Sequence, residues 1–186
     1  MDLNKLNHPH IIRLISAYRH GENYSLIFPL ADMSLRDMMK SNEVHKTHMT
    51  KYVKWIATQL SGLASGLSAM HNTAKSLHEK ITRYHHDVKP ENILLFEQRG
   101  KDLGTLSLSD FGLGRSKDRM ELRYPPYSNT PVLHGTRTYG APECFYPQEL
   151  ELKTRAEALD VWSLGVCISE VLTWMLHGKG AHRMLQ

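Results

Sequence analysis

The stretch "YHHDVKPENILLF", residues 84–96, decides how the rest of the chain is read. Within six residues it sets a carboxylate, an ammonium and an amide (Asp87, Lys89 and Asn92), then runs straight into Ile93, Leu94 and Leu95. A polar cluster ahead of a short apolar run reads as a loop delivered by a strand anchored in a core. Any one of these residues alone is ordinary loop chemistry, a turn or a cap. Crowded together, they look like a site, and His86 sits directly before the acid.

The surroundings are those of a soluble globular protein. The chain has 186 residues, 41% hydrophobic and 23% charged, enough for one domain with a real core or for a piece of a larger one. The net charge of +4 is spread along the chain without a basic arm, so no nucleic-acid partner is expected. Cys144 and Cys167 are too few for a disulfide framework and sit in no metal-type pair, which fits free thiols in a reducing compartment. The N-terminus shows no apolar signal-peptide core. The most apolar run, Val161 to Leu176, is broken by Ser163, Ser169 and Glu170, so a buried helix is expected there and no membrane insertion. These features predict a location inside the cell, in cytoplasm or nucleus.

Moving outward, "IIRLISAY" (11–18) and "YSLIFPL" (24–30) read as strands, and Gly21-Glu22-Asn23 between them suits a hairpin turn. Ser34 is a candidate N-cap for a short helix to Met39. From Thr50, the apolar residues Val53, Ile56, Leu60, Leu63, Leu67 and Met70 recur at helical spacing, a stripe that belongs to a core. After His71 the polar stretch 72–83 is expected to bulge as a surface insert. "LGTLSLSDFGLG" (103–114) alternates like a strand and ends in glycines. Residues 115–140, rich in Pro, Ser, Arg and Tyr, show no period and predict a long surface loop. Helical patterning returns at 142–145 and strongly from Asp160 to Met175.

Asp87 to Asn92 is followed by Asp110-Phe111-Gly112. Together these suit phosphoryl transfer from a nucleotide. A carboxylate must orient the proton of the attacking hydroxyl, a cation must offset charge on the transferred group, and hard oxygens must hold magnesium. Asp87 fits the base, Lys89 the cation, and Asn92 with Asp110 the metal clamp. Gly112 allows the sharp turn that faces Asp110 inward.

In order along the chain, "HHDVKPEN", "DFG", "GTRTYGAPE" and "DVWSLG" resemble the catalytic loop, magnesium loop, substrate-facing segment and central helix of eukaryotic protein kinases. The resemblance runs from "LNHPHIIRL" (6–14) to the last helix, and Lys89 with Gly135-Thr136 resembles the serine/threonine branch. It implies an α+β, protein-kinase-like fold: residues 1–30 as an N-lobe remnant (end of helix C, two strands), and 31–186 as hinge and incomplete C-lobe. It implies ATP and Mg2+ as cofactors and a protein hydroxyl as acceptor. Asp87 would be the catalytic base, Lys89 the phosphate-contacting cation, and Asn92 and Asp110 the magnesium ligands, with Thr136 supporting Asp87 and Lys89. Leu94 would floor the adenine site, Leu30 and Ala31 form the hinge, and Phe28 guard the back pocket. Leu3, Leu14, His85 and Phe111 would stack as an apolar spine, and Asp160 would anchor the catalytic loop from below.

The chain also departs from the family pattern. Residues 1–30 hold no G-x-G-x-x-G and no V-A-I-K-like strand, the parts that grip phosphates in a kinase. The expected picture is a kinase domain truncated at both ends, its Glu143 lacking the usual arginine partner. His86 stands where the family usually has an arginine that receives a phosphate from the loop before Glu143. A mostly neutral imidazole cannot grip phosphate bidentately, so phosphorylation at Tyr127, Ser128 or Thr130 is expected to matter less, or only at lower pH. Two alternatives stay open: a pseudokinase-like regulatory or scaffold fragment, and a small-molecule phosphotransferase.

Overall fold

The computed structural model describes residues 6–41, 49–76, 81–97, 103–110, 116–118, 137–142 and 156–178. In chain order the elements are β1 (Ser16–His20), β2 (Asn23–Ile27), β3 (Met33–Ser34), α1 (Leu35–Lys40), α2 (Met49–Ser76), β4 (Ile81–Arg83), β5 (Ile93–Phe96), β6 (Thr105–Leu108), β7 (Ser116–Asp118) and α3 (Ala156–His177). Short 3-10 turns lie at Pro90–Asn92 and Arg137–Tyr139. This is the α+β composition that the sequence predicts.

The hairpin is present, but its first strand begins late. β1 and β2 pair antiparallel from Ser16 opposite Ile27 to His20 opposite Asn23, with Gly21 turning the chain at φ 61°. A Cβ-bearing residue adopts that conformation only at a cost of about 1–2 kcal/mol. Ile11 and Ile12, expected within this strand, are buried elsewhere. There the backbone runs beside β6: Ile12 N donates to Leu108 O at 2.8 Å, and Leu108 N donates to His10 O at 2.9 Å. The apolar pair is thus spent on closing the free edge of a sheet rather than on a hairpin.

That sheet, in the order β3-β5-β6, carries the loop of residues 84–92 on its middle strand. The outer side of β6 is closed by side chains as well as by residues 10–12. Gln59 Oε1 accepts from Leu106 N at 2.9 Å, His10 Nδ1 donates to Leu106 O at 2.7 Å, and Trp55 Nε1 donates to Gly104 O at 2.7 Å. α2 approaches closely enough that a Cβ at Gly62 would lie 2.1 Å from His10 Nε2. β6 does not alternate, being buried at three successive positions, because it is covered on both faces.

The helices follow their spacing. Ser34 Oγ accepts from Asp37 N at 3.1 Å, so α1 begins at the expected cap. In α2, Ile56, Leu63, Leu67 and Met70 face the core with Tyr52, whereas Val53 is exposed. α2 continues to Ser76, so the first part of the expected surface insert is helix. β4 and β7 pair antiparallel, so residues 116–118, expected within a loop, are strand. Against the expectation drawn from its serines and Glu170, α3 is long and apolar enough to cross a membrane by length and composition. In the fold it packs as a core helix, burying Asp160, Leu164, Cys167, Glu170, Val171 and Trp174. Residues 1–5, where the end of a preceding helix was expected, and 143–145, three of the four residues expected helical at 142–145, lie outside the described residues.

Candidate active site

The loop joining β4 to β5 is drawn inward by one carboxylate. Asp160, 1% exposed on α3, accepts from His85 N at 2.7 Å, from His86 N at 2.8 Å and from His71 Nε2 at 2.8 Å. A buried carboxylate is tolerable only when several donors replace its water, and here two successive backbone amides and an imidazole do so. The same bonds hold His86 at φ 71°; with Asp110 at φ 60° it is one of two non-glycine residues in the left-handed region among the described residues. Both flank the polar cluster, which is where backbone strain tends to collect.

The cluster is preorganised. Lys89 Nζ donates to Asp87 Oδ2 at 2.6 Å, and Asn92 Nδ2 donates to Asp87 O at 2.9 Å and to Asp87 Oδ2 at 3.0 Å. These contacts occupy Oδ2 and fix the Asn92 amide, leaving Asp87 Oδ1 and Asn92 Oδ1 without a hydrogen-bond partner among the described residues. Ser109 donates to Asn92 O through both its N and its Oγ at 2.9 Å, and so places Asp110 beside the turn. Asp87, Lys89, Asn92 and Asp110 are therefore gathered at one end of the β5–β6 pair.

His85 lies beneath them, fully buried. Its Nε2 donates to Ser109 O at 2.8 Å, and its Nδ1 accepts from Asp87 N at 3.4 Å, so it is the neutral imidazole with the proton on Nε2. Burial holds its pKa below the ordinary 6.5, against the opposing pull of Asp160 and the Ser109 carbonyl. The unfolded chain therefore takes up a proton that the folded chain refuses. Stability from His85 is complete above pH about 6.5 and is lost on acidification, by at most about 1.4 kcal/mol per pH unit. Urea denaturation between pH about 7.5 and 5.5 should show a shallower acid loss for His85→Gln than for the unsubstituted chain. Parallel curves would remove His85 from the titration.

The nucleotide-side positions are only partly brought in. Asp32 N donates to Leu95 O at 3.0 Å, which lays the stretch expected as the hinge beside β5 and its Leu94. Leu94 is half-buried against the core, as is Phe28, whereas Leu30 is 96% exposed and Ala31 intermediate. Of the residues expected to form the apolar spine, Leu14 is half-buried and His85 buried. Thr136, Leu3, Phe111, Glu143, Tyr127, Ser128 and Thr130 lie outside the described residues. His86 packs its ring edge-on against Tyr84, 5.7 Å between centroids.

One group of residues went unnoticed in the sequence. Arg36 on α1 reaches Glu91 beside Asn92, Glu170 on α3, and the Tyr139 hydroxyl. Burial by itself would lower the Arg36 pKa, but hydrogen bonds to Glu170 and Glu91 outweigh it and raise it. The Tyr139 hydroxyl is pushed up by burial and by its bond to Glu170. The available signal was charge at core positions. Arg36 adjoins Leu35, Met38 and Met39, and Glu170 interrupts an apolar face; such residues seldom lie buried without a partner.

The family model for the protein kinase domain matches residues 2–182. The chain is 28% identical over 171 residues to cyclin-dependent kinase F-3 of Oryza sativa subsp. japonica, covering 92% of this chain and 33% of that protein. It is 28% identical to cyclin-dependent kinase 7 of Xenopus laevis (91% and 40%), and 31% identical to the serine/threonine-protein kinase MAK of Rattus norvegicus (92% and 23%). The chain thus spans well under two thirds of the length of each of these relatives. From its ordered motifs to the matched span of residues 2–182, the chain belongs to the eukaryotic protein kinase family.

Proposed function

We propose that this chain carries the catalytic site of a protein serine/threonine kinase, with residues 1–30 belonging to the N-lobe and 31–186 to the hinge and C-lobe. The observation that carries the reading is the Asp87 carboxylate, held on Oδ2 by Lys89 and Asn92 and open on Oδ1. A substrate hydroxyl would bond to Asp87 Oδ1 and be aimed by it. As the hydroxyl oxygen forms its bond to the γ-phosphorus, its proton passes to Asp87, the bond to the β-bridging oxygen breaks, and ADP leaves. Lys89 offsets charge on the phosphoryl oxygens, and the protein adds mostly position and electrostatics.

Magnesium fits the residues present. Its preference is for a few hard protein oxygens plus phosphate and water, and the Asn92 oxygen and the Asp110 carboxylate are of that kind. Bound there, the ion would neutralise the nucleotide phosphates. Asn92 orients its oxygen by committing its nitrogen to Asp87, and Asp110 is held by the Ser109 bonds to Asn92. Leu94, with the backbone of Leu30 and Ala31, would receive the adenine, and Thr136 would support Asp87 and Lys89.

Magnesium-dependent ATP binding to the purified chain tests the reading by calorimetry. Asp110→Asn should weaken it about tenfold or more when magnesium is present and little when it is absent. A folded chain that binds no nucleotide would overturn the reading in favour of a regulatory or scaffold fragment.

A further inference from the structure

Arg36 joins four parts of the chain through one guanidinium. It lies on α1, just after the hinge stretch, and is 7% exposed. Nε donates to Glu91 Oε1 at 2.8 Å, Nη1 and Nη2 engage the two Glu170 oxygens, and Nη2 also meets the Tyr139 hydroxyl. Tyr139 itself donates to Glu170 Oε2 at 2.6 Å, and Ser163 Oγ donates to Tyr139 O at 2.8 Å, fixing this turn on α3.

Charge balance alone does not explain the arrangement. Glu170 already neutralises Arg36, and apolar residues in place of a buried ion pair serve stability equally well or better. Glu91 adds a second carboxylate, 46% exposed, that neutrality does not require. What the Glu91 arm adds is a tie: it links the turn bearing Asn92, five residues past Asp87, to the segment bearing Tyr139. A planar fork with fixed donor directions sets relative position in a way that a flexible ammonium does not.

We propose that Arg36 is a positioning residue that sets the 137–142 segment against the catalytic turn, so that recognition of the protein substrate, rather than of the nucleotide, depends on it. The inference rests on the kinase reading for the meaning of substrate; its structural content does not. Arg36→Lys keeps the charge and loses the fork. Glu91→Gln weakens only the half-exposed arm and leaves the Arg36–Glu170–Tyr139 contacts in place, so the fold should survive.

Two measurements on the full chain test it. In phosphorylation of a mixed serine/threonine peptide library with magnesium-ATP, both variants should raise the peptide KM about tenfold while KM for ATP stays within about twofold. In hydrogen-exchange mass spectrometry without ligands, Glu91→Gln should speed exchange at 137–142 about tenfold, although the substitution is at 91. Unchanged exchange at 137–142 overturns the proposal, as does faster exchange with an unchanged peptide KM. Should the unsubstituted chain transfer no phosphate, the kinase reading fails, and the exchange result alone decides for or against the Arg36 tie.

Discussion

Asp87→Asn is expected to lower phosphoryl transfer by about 10²–10⁴-fold, the range spanned by a positioned general base. The substitution is nearly isosteric, and geometry says the fold will survive it. An asparagine oxygen in the place of Oδ2 still accepts from Lys89 and from Asn92, so the turn keeps the contacts that shape it. What is lost is the free carboxylate oxygen that would take the hydroxyl proton, since an amide cannot accept a proton at neutral pH. Transfer of labelled phosphate to a peptide mixture should therefore collapse while the melting temperature barely moves. Undiminished transfer would remove Asp87 from the chemistry. Parallel loss of transfer and of melting temperature would reduce it to a structural anchor.

The sequence disclosed this site because its chemistry is local. Asp87, Lys89 and Asn92 lie within six residues and bond to one another, and Ser34 caps α1 through the amide three residues on. The stripe from Ile56 to Met70 was legible for the same reason, being a period and not a contact. Errors arose where a distant element decided the outcome. Ile11 and Ile12 have strand-like side chains, but the open edge of β6 claims them, and nothing between residues 11 and 18 signals that competitor. Residues 116–118 carry no strand pattern and pair because β4 offers them a ladder. The Arg36 network was hidden most thoroughly, since its partners at 91, 139 and 170 are 55 to 134 residues away. A charged residue beside Leu35 announces that a partner exists, but it does not say which.

Asp160 shows how much of the site depends on one such distant contact, and its removal should have the largest effect on stability. In Asp160→Ala the amides of His85 and His86 and the ring of His71 all lose their acceptor in a buried place. At about 1–3 kcal/mol for each buried donor left unsatisfied, partly relieved by entering water, a loss of about 3 kcal/mol or more is expected. His86 would also lose the bond that holds it at φ 71°, so its backbone should relax and carry Asp87 with it. Asp160→Asn separates the contributions. Its oxygen can still accept from His86 N, and its nitrogen can donate to His71 once that ring adopts the other tautomer. Only His85 N is then orphaned, and the cost should fall to about 1–2 kcal/mol. Urea denaturation of the three proteins at neutral pH, followed by phosphate transfer well below their melting temperatures, checks this ordering. An alanine variant within about 0.5 kcal/mol of the unsubstituted chain would mean that the loop is held by its own strand β5 and not from α3. If instead the asparagine variant is folded but transfers slowly, the orientation of Asp87 is set by the amide of His85, two residues away, and the buried carboxylate beneath the loop belongs to the catalytic apparatus although it touches no substrate.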